Sequence, residues 1–446
     1  MAEGRSAPGV EGPVVPDEVG RIFRAESGRC VAALIRMFGD IDIAEDAVQE
    51  AFAAALRHWP VDGLPPNPGG WITTVARNKA IDGLRRSARE RQLLDQADRF
   101  RSGAIELDAP EEMDPVQDDR LRLIFTCCHP ALAPEAQIAL TLRLIGGLRT
   151  GEVAAALLVP EATMAKRISR AKHKIKVAHV PYRVPEDDEL PARLPPVLAV
   201  EYLIYNAGLD RRDDSVLCAE AIRLARLLAG LMPDEPEVAG LLALMLLSEA
   251  RRTSRTAPDG SVVLLADQDR SRWDRELIAE GHAIVRACLR HGRPGPYQIQ
   301  AAISAVHTDA QTFAGTDWTQ ILALYDMLLA AAPTPVVALN RAIAVGELDG
   351  PAAALALVDE LDLEGYYALH ATRANLLKRL GRTGEAAEAY GRAAELAPTS
   401  AEREFYRSRG RSGARLDRAR PGPAGRSAGL AHSVEGRVHS HRRGGD

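Results

Sequence analysis

Six lysines and arginines, Lys166, Arg167, Arg170, Lys172, Lys174 and Lys176, follow a single acid, Glu161. Placed on a helix at about 100° per residue, Met164, Ile168, Ala171 and Ile175 make one apolar stripe. Across from it lie Lys166, Ser169, Arg170 and His173, with Thr163, Arg167 and Lys174 beside them. Such side chains can grip nucleic acid: Lys and Arg neutralise phosphates and release counterions, and Thr, Ser, Lys and Arg reach base edges in a major groove. A solvated basic helix has the same composition, so a second signal is needed to choose.

Two further sets have helical spacing. In "DIDIAEDAVQEAFAAALRHW" (40–59), Val48, Ala51, Phe52, Ala55, Leu56 and Trp59 face inward, leaving Asp46, Gln49 and Glu50 on an exposed acidic face joined by Asp42 and Glu45. After "PVDGLPPNPGG" (60–70), which cannot continue a helix, "GWITTVARNKAIDGLRRSARER" buries Ile72, Val75 and Ala76 and repeats Asn78, Asp82, Arg85 and Arg86 on another side. Trp71 reads as a core residue.

The basic helix needs a support. "RTGEVAAALL" (149–158) supplies one, with Thr150 as N-cap, Val153, Ala154 and Leu157 inward, and a short "LVP" connection to Pro160. Two short helices around a tight turn, the second basic outside, make a helix-turn-helix pattern.

Elsewhere the chain reads as all-α. Its 446 residues are 46% apolar, 26% charged and only 4% aromatic, rich in Ala, Leu and Arg. The net charge of −5 hides basic clusters at 85–91, 166–176 and 407–443. Residues 1–16 read as a flexible leader, and "AIELDAPEEMDPVQDD" (104–119) as an acidic linker, with seven acids and no base. Five prolines in 180–196 mark a domain boundary. About 210 helical residues follow, broken at 257–269 by a small hairpin or ordered loop. Within them Ala374, Leu377, Gly381, Ala386, Tyr390, Ala393 and Pro398 fit a tetratricopeptide unit of about 34 residues, and 336–361 is a looser copy. A stacked solenoid follows, since one helical pair cannot bury its own face. The Arg, Gly, Ser and His tail from about Arg407 reads as disordered.

Other chemistry finds little support. Cys30, Cys127, Cys128, Cys218 and Cys288 are an odd set without CxxC spacing, so disulfides and structural zinc are not expected and the thiols read as core residues. His291, His307 and Asp309 have no nucleophile to serve, and no enzyme is read here. "DQDRSRW" (267–273) reads as acids capping a helix, plus docking between domains. No apolar run approaches the roughly 20 residues of a membrane span, and no signal peptide is seen, so the protein is read as cytoplasmic.

"DIAEDAVQEAFAAAL", "GGWITTVARNKAIDGLRR" and the 149–175 helix-turn-helix, in that order, resemble regions two and four of sigma-70 family initiation factors, in the two-domain extracytoplasmic-function (ECF) form. "FTCCHPALAPEAQIALTLRLIGGL", "VEYLIYNAG" and "LADQDRSRW" are similar to an ECF group with a long C-terminal helical extension, which carries the likeness to about residue 407. The resemblance implies an all-α fold of two small sigma domains, a region 2 bundle (17–91) and a region 4 helix-turn-helix (119–180), joined by the acidic linker (92–118). An α-solenoid-like domain (181–407) and a disordered tail (408–446) would follow. It implies a promoter-specificity factor without cofactor or metal, whose partners are core RNA polymerase (β′ clamp helices and β flap) and promoter DNA, with a possible protein partner for the C-terminal domain and no membrane contact.

By the same resemblance, Asp42, Glu45, Asp46, Gln49 and Glu50 would dock on the clamp helices. Asn67, Arg77, Asn78, Arg85 and Arg86 would handle the −10 element, and Thr163, Lys166, Arg167, Ser169, Arg170 and His173 the −35 element. The acidic linker would either mimic nucleic acid near the template strand or serve as a tether. The sequence departs from the family pattern in its Pro/Gly-rich loop "PPNPGG" and in Leu158, at a turn position where many relatives have Gly. Two other readings stay open: a helix-turn-helix regulator with a helical sensor domain, and a tetratricopeptide scaffold.

Overall fold

A computed structural model describes residues 16–97, 116–157, 159–209, 215–257 and 262–416. The expected leader up to residue 15, most of the acidic linker, Leu158 and the tail beyond 416 lie outside them. The described residues form helices and one isolated antiparallel bridge, Thr256 to Val262, where the hairpin or ordered loop was expected. Contacts divide the chain into two compact units, 1–203 and 204–446.

The first unit begins with three helices, α1 (Pro16–Phe38), α2 (Ile41–Asp62) and α3 (Pro68–Ala97). Asp40 starts α2 by accepting the backbone N–H groups of Asp42 and Ile43, at 2.9 and 3.2 Å. Gly63, at φ +81°, ends it. Pro60 lies inside the last turn of α2, so the break expected over 60–70 is confined to 63–67. Val48, Ala51, Phe52, Ala55 and Trp59 of α2 are buried with Leu34 of α1 and Ile72 of α3. Phe23 meets Phe52 edge-on at 4.5 Å, and Trp71 meets Trp59 at 5.4 Å. Leu56 is not inward as expected: it is 49% exposed and lines a cleft of about 990 Å³ with Val19, Phe23, Phe52, Gly151 and Glu161.

Four helices follow, α4 (Val116–Cys127), α5 (Pro134–Leu140), α6 (Thr150–Ala156) and α7 (Glu161–Val177). A π-helical turn, Thr141–Ile145, extends α5. It buries Thr141, Leu142, Leu144 and Ile145, and it packs against α1 at Gly28. A Cβ on Gly28 would stand 2.7 Å from the carbonyl oxygen of Ile145, so only glycine permits this approach. Tyr182 then ties the proline-rich stretch down, its hydroxyl 2.8 Å from the Ala32 carbonyl and 3.2 Å from that of Asp119. Arg193 donates to the Phe125 carbonyl at 3.0 Å. Only Pro181 and Pro185 fall between α7 and the next helix, α8 (Leu190–Leu209), which contains Pro191, Pro195 and Pro196; the stretch therefore does not end the packed unit, and the division falls inside α8, later than the expected residue 181.

The second unit contains α9 (Ser215–Leu231), α10 (Pro236–Glu249), α11 (Arg275–Leu289), α12 (Pro296–Asp309) and α13 (Trp318–Ala331). It continues with α14 (Pro335–Leu348), α15 (Pro351–Asp359), α16 (Tyr367–Arg379), α17 (Thr383–Leu396) and α18 (Ser400–Leu416). From α12 onward each helix packs on the next, as stacked helical pairs must. Ala374, Leu377, Ala386, Tyr390 and Ala393 are buried between α16 and α17, and Gly381 turns between them at φ +75°. The expected end of order near Arg407 is passed by nine residues, because Tyr406 is fully buried in contact with Tyr367 and Tyr390. In "DQDRSRW" one acid caps: Asp269 accepts from Ser271 N–H at the start of a short 3-10 turn, while α11 is capped by the next residue, Asp274, which accepts from its first N–H groups.

Candidate nucleic-acid and protein-docking faces

The helix-turn-helix forms as two short helices. α6 starts one residue earlier than expected: Arg149, not Thr150, is its N-cap, and the Glu152 carboxylate accepts the Arg149 backbone N–H at 2.7 Å. Val153 and Ala154 are buried, and Val159 N–H closes the turn onto the Ala154 carbonyl at 3.0 Å. Met164, Ile168, Ala171 and Ile175 of α7 are all buried, as the wheel requires. Thr163, Lys166, Ser169, Arg170 and His173 are exposed and Arg167 is half-buried. Lys166, Arg167 and Arg170 make no ion pair with any described residue, so their charges remain available to an external anion.

On α3, Asn78, Arg85 and Arg86 are exposed and Arg77 is half-buried. Asn67 is exposed too, but its Oδ1 accepts the Gly70 N–H at 2.9 Å, which makes it a cap for α3. Trp71 is half-buried against Trp59, in keeping with a core role.

The acidic face of α2 differs from the sequence expectation. Asp42, Asp46, Gln49 and Glu50 are exposed, but Glu45 is 7% exposed and therefore not a free surface carboxylate. It ion-pairs with Arg143 of the π turn and with Lys172 Nζ of α7, the latter at 2.6 Å, while Gln49 donates to its Oε1 at 3.1 Å. Lys172 also reaches Asp42 at 2.8 Å, and Lys176 reaches Asp40 at 3.0 Å. Two cations and two carboxylates, Arg143, Lys172, Glu45 and Asp42, thus balance within one cluster, in which Asp42 is exposed and the other three are largely buried. Removing Glu45, which both cations share, would leave two largely buried charges uncompensated and cost about 3–5 kcal/mol.

Protonation follows the same geometry. Burial works against the Lys172 ammonium, but Glu45 and Asp42 outweigh it and hold its pKa above the ordinary lysine value. Asp46 is raised by burial and by the neighbouring Glu45 carboxylate. At Asp40, burial is outweighed by hydrogen bonds from Lys176 and two backbone N–H groups, and its carboxyl lies below the usual range.

Arg143, Lys172, Lys176 and Asp40 were not among the residues assigned a site role from sequence. A signal for two of them exists: Lys172 and Lys176 are spaced i, i+4 and flank the apolar stripe of α7, away from Lys166 and Arg170. Nothing local marks Arg143, whose direction depends on the π turn.

All five cysteines, Cys127 and Cys128 included, are buried among the described residues, and burial pushes the Cys128 thiol up to about 12. No cluster of His, Cys, Asp and Glu there could hold a metal, and no helix is long and apolar enough to cross a membrane. His307 is buried, its ring packed edge-on against Trp318 at 5.4 Å.

Comparison with known proteins agrees with the order of these faces. The family models for Sigma-70 region 2 and Sigma-70 region 4 match residues 22–90 and 122–175, and a family of unknown function, DUF6596, matches 193–289. An uncharacterized protein of Rhizobium meliloti (strain 1021) is 44% identical over 392 residues, 85% of this chain and 92% of its own. The ECF RNA polymerase sigma factor SigL of Mycobacterium tuberculosis (strain Erdman) is 33% identical over 144 residues, 32% of this chain and 78% of its own. The probable ECF sigma factor SigI of Mycobacterium tuberculosis (strain H37Rv) is 28% identical over 165 residues, 37% of this chain and 56% of its own. No solved structure matches. With both sigma regions matched in order and a sigma factor aligned over most of its length, the chain belongs to the ECF RNA polymerase sigma factors, non-enzymatic initiation factors whose partners are core RNA polymerase and promoter DNA.

Proposed function

We propose a division of labour among three faces of the first unit. Asp42, Glu45, Asp46, Gln49 and Glu50 dock on the clamp helices of the polymerase β′ subunit, and the helix-turn-helix module meets the β flap. Asn67, Arg77, Asn78, Arg85 and Arg86 bind and help open the −10 element through phosphates and unstacked bases. Thr163, Lys166, Arg167, Ser169, Arg170 and His173 bind the −35 element, and no cofactor takes part. The observation that carries this reading is the uncommitted charge of Lys166, Arg167 and Arg170 on the outer face of a helix anchored by four buried side chains.

The bounds we propose for the modules are 17–91 and 119–180, joined by an acidic linker over 92–118. The solenoid-like C-terminal domain we assign to regulation or partner binding. A groove of about 390 Å³ between α15, α16 and α17, lined by Asp359, His370, Arg373, Arg382, Glu388 and Arg392, supports that role.

Run-off transcription with purified core polymerase tests the reading. The chain should confer promoter-dependent initiation on core, and Asp46→Lys with Glu50→Lys should abolish it while leaving the helical content unchanged, because both side chains are exposed. A double variant that still co-purifies with core would refute the docking assignment. Unchanged promoter activity in cells after removal of residues 204–446 would refute the regulatory role.

A further inference from the structure

Part of the acidic face assigned above to polymerase already has an occupant. Lys172 and Arg143 hold Glu45, Lys172 also holds Asp42, and Lys176 holds Asp40. The contact extends well beyond one ion pair. Arg36 of α1 reaches the buried Asp119 of α4 at 3.2 Å, and α1 meets the π turn backbone to backbone at Gly28. The side chains assigned to DNA stay outside it: Asn78, Arg85, Arg86, Lys166 and Arg170 are all exposed in the same arrangement.

We propose that this arrangement is an asymmetric autoinhibited state, in which the recognition helix holds Glu45 and Asp42 of the polymerase-docking face while leaving Asp46, Glu50 and the DNA-facing side chains open. The inference rests on the docking role proposed for α2. Any partner that binds Asp42 and Glu45 must bring its own cations or hydrogen-bond donors to oxygens that Lys172 and Arg143 already hold. The two sets compete for the same atoms, and one is tethered. Only the open fraction of the protein binds polymerase, so the apparent affinity falls by that fraction. Opening, by polymerase or by whatever engages the C-terminal domain, is the regulated step.

Two readouts on the full-length protein separate this lock from the docking assignment. The first needs no polymerase: a water-soluble carbodiimide should join Lys172 to Asp42 or Glu45 in the free chain, detected as a cross-linked peptide by mass spectrometry. Added core should suppress that peptide. The second is affinity for core. Lys172→Ala leaves Glu45 paired with Arg143 and the docking carboxylates in place, and should tighten core binding about tenfold. Lys172→Arg should restore the wild-type value. Gly28→Ala, which forces α1 off the Ile145 carbonyl without changing a charge, should act in the same direction as Lys172→Ala.

Absence of the cross-linked peptide, or unchanged core affinity in both Lys172→Ala and Gly28→Ala while Asp46→Lys with Glu50→Lys still abolishes binding, overturns the lock and spares the docking role. If that acidic-face double variant binds core as well as wild type, the docking role fails and the lock falls with it.

Discussion

Each exposed side chain of α7 either grips a phosphate or reads a base, and salt separates the two. A phosphate contact contributes about 0.9 to the slope of log affinity against log salt. Between 50 and 200 mM salt, one such contact is therefore worth roughly a 3.5-fold change. A base contact is instead worth about 1–3 kcal/mol, roughly 5- to 150-fold, and is specific to one position of the site. Lys166, Arg167, Arg170 and Lys174 have no ion pair among the described residues, whereas Lys172 and Lys176 are held by Asp42, Glu45 and Asp40. The four uncommitted cations supply at most about 3.6 of the slope, and release of Lys172 and Lys176 in the holoenzyme would raise the limit for α7 to about 5.4. The assay is competition binding of polymerase holoenzyme to a promoter fragment recovered by run-off transcription, across that salt range, for single alanine variants. Arg170→Ala and Lys166→Ala should each either flatten the slope by about 0.9 without altering sequence preference, or weaken binding and relax preference at one −35 position. If both variants match wild type in slope and preference, α7 is not the reader and the assignment of its outer face is wrong.

Two further outcomes follow from burial. Glu201 is 2% exposed with Oε2 unpartnered, and burial raises its carboxyl to about 8. Between about 4.5 and 8 the unfolded chain loses this proton and the folded chain keeps it, so this group's contribution to stability falls as pH rises, by up to ~5 kcal/mol. Glu201→Gln should remove that slope from urea midpoints measured between pH 5 and 8; parallel profiles for the two proteins would show that the carboxyl is not held neutral. Tyr406 is fully buried on Tyr390 and Tyr367, and Tyr406→Ala should cost about 3–5 kcal/mol. Calorimetry showing less than about 1 kcal/mol lost would mean that α18 is not part of the solenoid core.

What could be read from the sequence was whatever depends on local period. The stripe of Met164, Ile168, Ala171 and Ile175 repeats with the helix, and the structure buries all four. The tetratricopeptide offsets around Ala374 and Tyr390 survive for the same reason: each position fixes its own neighbours within one repeat. Glu45 was misplaced on its charge rather than its period: it stands three and seven residues before the inward Val48 and Phe52, and the cations that let it be buried are at 143 and 172. Such pairing across 98 and 127 residues leaves no periodic trace. The π turn that aims Arg143 is equally invisible, since "TLRLI" reads as ordinary helix. Leu56 was placed in the core on period alone, yet it ended in an open cleft.

Asp40 divides its labour between two oxygens. Oδ1 accepts the first N–H groups of α2, and Oδ2 takes Lys176. The latch and the hinge pin of this contact are therefore separate atoms of one carboxylate. Lys176 can leave without unwinding the helix it was fastened to, so the acidic face is delivered to its next occupant already rigid and pays no ordering entropy on arrival. Asp40→Asn would keep the pin and discard the latch.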